Sequence, residues 1–72
     1  MIQRTFRDAA GKDLTLRICR GGVDGRQDKL RAELWWSLRW DDLENHLRRP
    51  DLPNLTRTAF EWALRHKSTD AA

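Results

Sequence analysis

Two runs of alternating apolar and polar residues, I-Q-R-T-F-R and D-L-T-L-R-I-C-R, flank the five residues Asp8-Ala9-Ala10-Gly11-Lys12. A period of two sends successive side chains to opposite faces, the pattern of a half-buried strand. The link is too short for anything but a reversal, so the runs fold back as an antiparallel hairpin. A three-residue loop, Ala9-Ala10-Gly11, closes as a type I turn followed by a left-handed residue, a conformation glycine adopts without a Cβ penalty. That loop pairs Asp8 with Lys12 and sets the register. Phe6 then faces Leu14, Arg4 faces Leu16 and Ile2 faces Ile18 on one side, while Arg7 faces Asp13, Thr5 faces Thr15 and Gln3 faces Arg17 on the other. A four-residue loop would pair Phe6 with Thr15 and mix the faces. Only Arg4 interrupts the apolar side.

Beyond the hairpin, residues 21–26 (GGVDGR) hold three of the four glycines and read as a flexible connector. From Gln27 to Arg49 there is neither glycine nor proline, and leucine, alanine, glutamate and arginine recur, so propensity predicts a helix ending before Pro50. Its apolar residues fall on two stripes. Leu30, Leu34 and Leu38 line one; Trp36, Trp40, Leu43 and Leu47 line another about 200° round the cylinder. Either one long helix is buried over more than half its circumference, or the helix breaks near Trp40, with Asp41 as N-cap and Glu44 three residues on. The link PDLPN opens a last helix over 52–67, capped by Asp51 or Asn54, whose Leu52, Leu55, Ala59, Phe60, Trp62 and Ala63 share a side opposite Asn54, Arg57, Thr58, Glu61 and Arg65. Residues 68–72 read as a frayed tail. The fold class expected is α+β, a single domain with a two-stranded antiparallel hairpin (2–20) followed by two or three helices.

A chain of 72 residues buries only about 60% of the surface it exposes when unfolded, so its core needs a supplement. One cysteine, Cys19, allows no internal disulfide and suits a reducing, cytoplasmic setting. Cys19, His46 and His66 are too few for a structural zinc, and no cofactor is expected. No apolar run is long enough to span a bilayer. Self-association is the remaining supplement, and a homodimer is expected through Leu30, Leu34, Leu38 and Trp35.

Trp36, Trp40 and Trp62 lie on apolar stripes and read as core, whereas Trp35 lies outside both stripes and reads as a partner anchor or a ring beneath the hairpin or the glycine loop. Charge is the second lead. The net charge is +3; residues 1–20 carry five basic and two acidic side chains, and the rest of the chain balances. The hairpin therefore holds all the excess. Gln3, Arg7 and Arg17 on its polar face, Lys12 at the turn and Arg20 at the far end form a candidate nucleic-acid surface, because arginine and glutamine bond base edges and a two-stranded ribbon fits the major groove.

Catalysis is not expected. Asp41, Asp42 and Glu44 suit helix capping, Cys19 has no placed histidine, and Gly21, Gly22 and Gly25 match neither phosphate-loop nor dinucleotide spacing. A strand, then AELWWSL, a turn and NLTRTAFEWALRHK resemble the ribbon-helix-helix repressors over at most residues 14–67. That resemblance implies a dimer with a DNA-reading ribbon; the chain departs from the family in the GGVDGR insertion and in making both strands itself, and it is not assigned to that family. The first functional expectation is a homodimeric DNA-binding transcriptional regulator. The alternative is a small protein-interaction module or inhibitor, of the kind mobile elements encode, that blocks a larger protein or nucleoprotein complex.

Overall fold

The computed structural model describes residues 2–27 and 35–71, with side chains as far as residue 67. β1 (Ile2–Arg7) pairs antiparallel with β2 (Asp13–Cys19) in the expected register, Phe6 opposite Leu14 and Thr5 opposite Thr15. Gly11 has φ 85°, its N–H donates to Asp8 O at 3.0 Å, and Asp8 N–H donates to Lys12 O at 3.1 Å. The Asp8 carboxylate accepts the N–H groups of Ala10 at 3.0 Å and Lys12 at 2.9 Å, so the turn is tied by its own aspartate.

The sheet does not stop at two strands. The glycine segment read as a connector is β3 (Gly22–Gln27), and β4 (Trp36–Arg39) lies inside the stretch expected to be helical; the order is β1-β2-β3-β4, antiparallel throughout. The period of two continues through both: Val23 sits opposite Ile18 and Gly25 opposite Leu16 on one face, while Asp24 and Arg26 fall on the other. The glycines mark close approach and not flexibility. A Cβ on Gly25 would enter the Trp36 ring, and one on Gly22 would strike the Leu38 carbonyl. With W-S-L-R forming a strand where that plan has its first helix, the ribbon-helix-helix plan does not apply to this chain.

Within residues 35–49, helix is confined to α1 (Trp40–Leu47). Arg39, extended at φ −73° and ψ 156°, occupies its cap position without a side-chain bond, because β4 runs directly into the helix. Asp41 is therefore not the N-cap; with Asp42 it lies in the first turn, where a carboxylate meets the positive end of the helix dipole. α2 (Asn54–Ala71) begins two residues later than expected and continues through most of the supposed tail. No helix among the described residues is long and apolar enough to cross a membrane.

Both helices lie against one face of the sheet. Leu14, Leu16 and Ile18 of β2 are fully buried there, and Phe6 meets Trp62 edge to face at 5.4 Å between ring centroids. Trp36 meets Phe60 in the same way at 6.4 Å. Trp40 keeps 8% of its surface exposed, and its Nε1 donates to Arg20 O at 3.2 Å, so its buried polar atom is satisfied. Leu38 packs half-buried against this core from β4; Leu30 and Leu34, expected beside it in a partner interface, lie outside the described residues.

One guanidinium joins the two helices. Arg57 of α2 donates from Nη1 to Leu47 O at 2.9 Å and from Nη2 to Arg49 O at 2.6 Å. These carbonyls belong to the end of α1 and its exit, where helical partners run out. Arg57→Ala is expected to lower the unfolding free energy by about 1.5–3 kcal/mol, the usual range for hydrogen bonds to a charged group. Arg57→Lys should recover only part of it, because an ammonium lacks the planar fork. Urea denaturation reads both, and an unchanged midpoint in Arg57→Ala would contradict the role.

Candidate interaction face

Strand geometry divides the sheet cleanly. The face away from the helices carries Gln3, Thr5 and Arg7 from β1, Asp13, Thr15, Arg17 and Cys19 from β2, Asp24 and Arg26 from β3, and Ser37 and Arg39 from β4. Four arginines thus stand with two aspartates. Gly25 pairs with Trp36, so one step further along the same register puts Trp35 opposite Arg26 and on this face. Neighbouring tryptophans therefore serve opposite sides.

Trp35 is gripped by cations. The Arg17 guanidinium lies 4.2 Å from its ring centroid and that of Arg26 lies 5.2 Å from it. Each contact is attractive because the face of the indole ring is negative. Beside them Thr15, at 2% exposure, is almost closed to solvent although it belongs to the uncovered face. Its hydroxyl shares a 2.8 Å hydrogen bond with that of Thr5. Among the described residues, this side of the sheet is packed at Thr15 by cross-strand side chains and not by a helix.

Asp24 organises the other half of the face. Ser37 Oγ donates to its Oδ1 at 2.8 Å, and Arg17 Nη2 and Cys19 Sγ reach its Oδ2 at 3.2 and 3.4 Å. The Ser37 bond foremost, then those from Cys19 and Arg17 together with the Arg17 charge, hold the Asp24 carboxyl below its ordinary pKa against the opposing pull of desolvation. Among the described residues Arg17 Nε is buried with no hydrogen-bond partner; the guanidinium is held by Asp24 and by the Trp35 ring. Arg7 bonds Asp13 at 2.7 Å, and that hydrogen bond, reinforced by the opposite charge, raises the Arg7 pKa.

Of the five residues expected to contact nucleic acid, Gln3, Arg7 and Arg17 share this face. Lys12 lies in the β1–β2 turn and Arg20 in the β2–β3 turn, at opposite ends of β2, about 26 Å apart at the usual strand rise. They do not join one patch. Arg26, Arg39, Asp24 and Ser37 were missed because residues 21–26 read as loop and residues 27–49 as helix; the alternation V-D-G-R and W-S-L-R carried the signal. Among the described residues no group of three histidine, cysteine, aspartate or glutamate side chains is placed to hold a metal ion. No protein-family model matches the chain, and no curated protein or solved structure is significantly similar to it.

The Asp24 network has a pH signature. The folded chain holds Asp24 ionised more firmly than the unfolded chain does, so its stabilising effect is complete above the unfolded carboxylate value of about 3.9 and is lost as pH falls through the lower folded value. Asp24→Asn should therefore flatten the fall in melting temperature from about pH 4 downward. Parallel melting curves for the two proteins across that range would contradict the assignment.

Proposed function

We propose that this chain acts by binding and not by catalysis, as a protein-interaction module whose open sheet face docks on an acidic surface of a larger protein. The observation that carries the reading is Trp35, held on that face between Arg17 and Arg26. Tryptophan and arginine are the residues in which interface binding energy concentrates, and here both are pre-ordered by the sheet. Preorganisation lowers the entropy lost on docking. The arginine excess favours carboxylates opposite, and the internal pairs Arg7–Asp13 and Arg17–Asp24 fix side-chain positions for a complementary surface.

A second reading, the homodimeric DNA-binding transcriptional regulator, keeps one specific observation: Gln3, Arg7 and Arg17 share one face, with Gln3 directly opposite Arg17. Against it, a four-stranded sheet is wider than the two-stranded ribbon that enters a groove of about 12 Å. Two of its reading arginines are also engaged by aspartates.

Affinity capture from the native cell, with and without nuclease, separates the two. The protein reading expects a partner that survives nuclease and whose affinity falls in Trp35→Ala and Arg26→Ala by about 2 kcal/mol or more, roughly thirtyfold. Melting curves show whether each variant remains folded. Capture abolished by nuclease, together with duplex binding that weakens in Arg7→Ala and Arg17→Ala, would transfer the face to DNA.

A further inference from the structure

β1 is the outer strand of the sheet, and among the described residues no strand pairs with its other side. Which groups face outward follows from the turn. Asp8 directs its N–H to Lys12 O, so by the alternation of an antiparallel pair Phe6, Arg4 and Ile2 also turn their backbone groups towards β2. The N–H and C=O groups of Gln3, Thr5 and Arg7 point away. Natural edges of this kind are blunted by shortness, proline, a bulge or an inward-pointing charge. β1 has six residues and no proline, and it pairs with β2 residue for residue, which leaves Arg4 as its one such device. The opposite edge, β4, has four residues and leads straight into α1.

We infer that β1 pairs with β1 of a second copy of this chain, antiparallel about Thr5, joining two four-stranded sheets into one of eight strands. The register follows from the side chains. Side chains keep to their faces only if each residue meets one of the same parity, which leaves two pairings with substantial overlap. Centring on Arg4 would set two arginines directly opposite, which is destabilising. Centring on Thr5 sets Gln3 opposite Arg7 and Thr5 opposite Thr5 on the open face, and Arg4 opposite Phe6 on the helix side. Arg4 already lies 5.0 Å from the centroid of its own Phe6 ring, so the residue that would guard the edge has an aromatic acceptor across the two-fold axis. The contact is isologous and closes as a dimer, as a self-complementary patch must. It supplies the association that so short a chain needs, through an edge distinct from the face assigned to the partner protein, and it makes the two open faces continuous.

The test is a register-specific cross-link. In a Cys19→Ser background, Thr5→Cys places two thiols on residues whose Cα atoms stand about 5.5 Å apart in the dimer, within disulfide range. Gln3→Cys places them four residues apart along the strands, about 13 Å, beyond that range. Mild oxidation should give a dimer band for Thr5→Cys and none for Gln3→Cys. In the unmodified protein, the amides of Gln3, Thr5 and Arg7 should exchange slowly at high concentration and faster on dilution. Gln3→Pro, which removes an outward N–H and no bond to β2, should weaken association about tenfold or more. A protein that sediments as a monomer at every concentration, or equal cross-linking at both positions, would overturn the inference.

Discussion

Trp36 lies where a side chain on Gly25 would have to be, and the pairing of β3 with β4 depends on that approach. With Gly25 bare, the indole settles on the sheet and meets Phe60 of α2, so β4 is fastened to the core from the helix side. The strand's alternation then sends the preceding residue the other way. Trp35 reaches the open face because Trp36 is held on the closed one. α1 follows without a linker, which puts Trp40 and Leu43 into the core and Asp41 and Asp42 at the surface. A larger residue at position 25 would therefore disturb the core and the candidate interaction face together.

The two faces are stabilised by different physics. On the helix side, aliphatic residues of β2 and β3 meet aromatic and small residues of α2, and burial of apolar area supplies the driving force. On the open side the four strands carry arginine, aspartate, threonine and serine, joined by cross-strand bonds and the arginine–indole stack. Among the described residues, this division gives the sheet a cross-bonded polar surface without a second hydrophobic layer. Such a surface suits recognition, because its side chains already occupy fixed positions.

Local pattern made some parts of this architecture legible and concealed others. The first hairpin could be read residue by residue, because the Gly11 turn and two alternating runs admit one consistent register. The last helix and its buried Phe60, Trp62 and Ala63 followed from a period of 3.6. β3 was hidden because Gly22 and Gly25, chosen for close packing against β4, resemble the glycines of a loop. β4 was hidden because W-S-L-R is a short alternation next to residues of high helix propensity, and tertiary pairing overrode that propensity. Trp36 and Trp40 were assigned to the core by a helical wheel; they pack there, but Trp36 does so from a strand. The open-face arginines of β3 and β4 went unseen for the same reason, so only the β1 and β2 part of the candidate face could be named in advance.

The central claim is that residues 36–39 are a strand lying on β3, with successive tryptophans on opposite faces. Nuclear Overhauser spectroscopy of the labelled protein tests it most directly. Asp24 and Ser37 face each other across the β3–β4 ladder at a position that turns no backbone bond between them, so their Hα protons should show a strong mutual contact, with extended-strand chemical shifts from Trp36 to Arg39. Ring contacts from Trp36 should reach Gly25, while those from Trp35 reach Arg17 and Arg26. Helical contacts between Trp36 and Arg39, with no cross-strand contact from Asp24 to Ser37, would contradict the account.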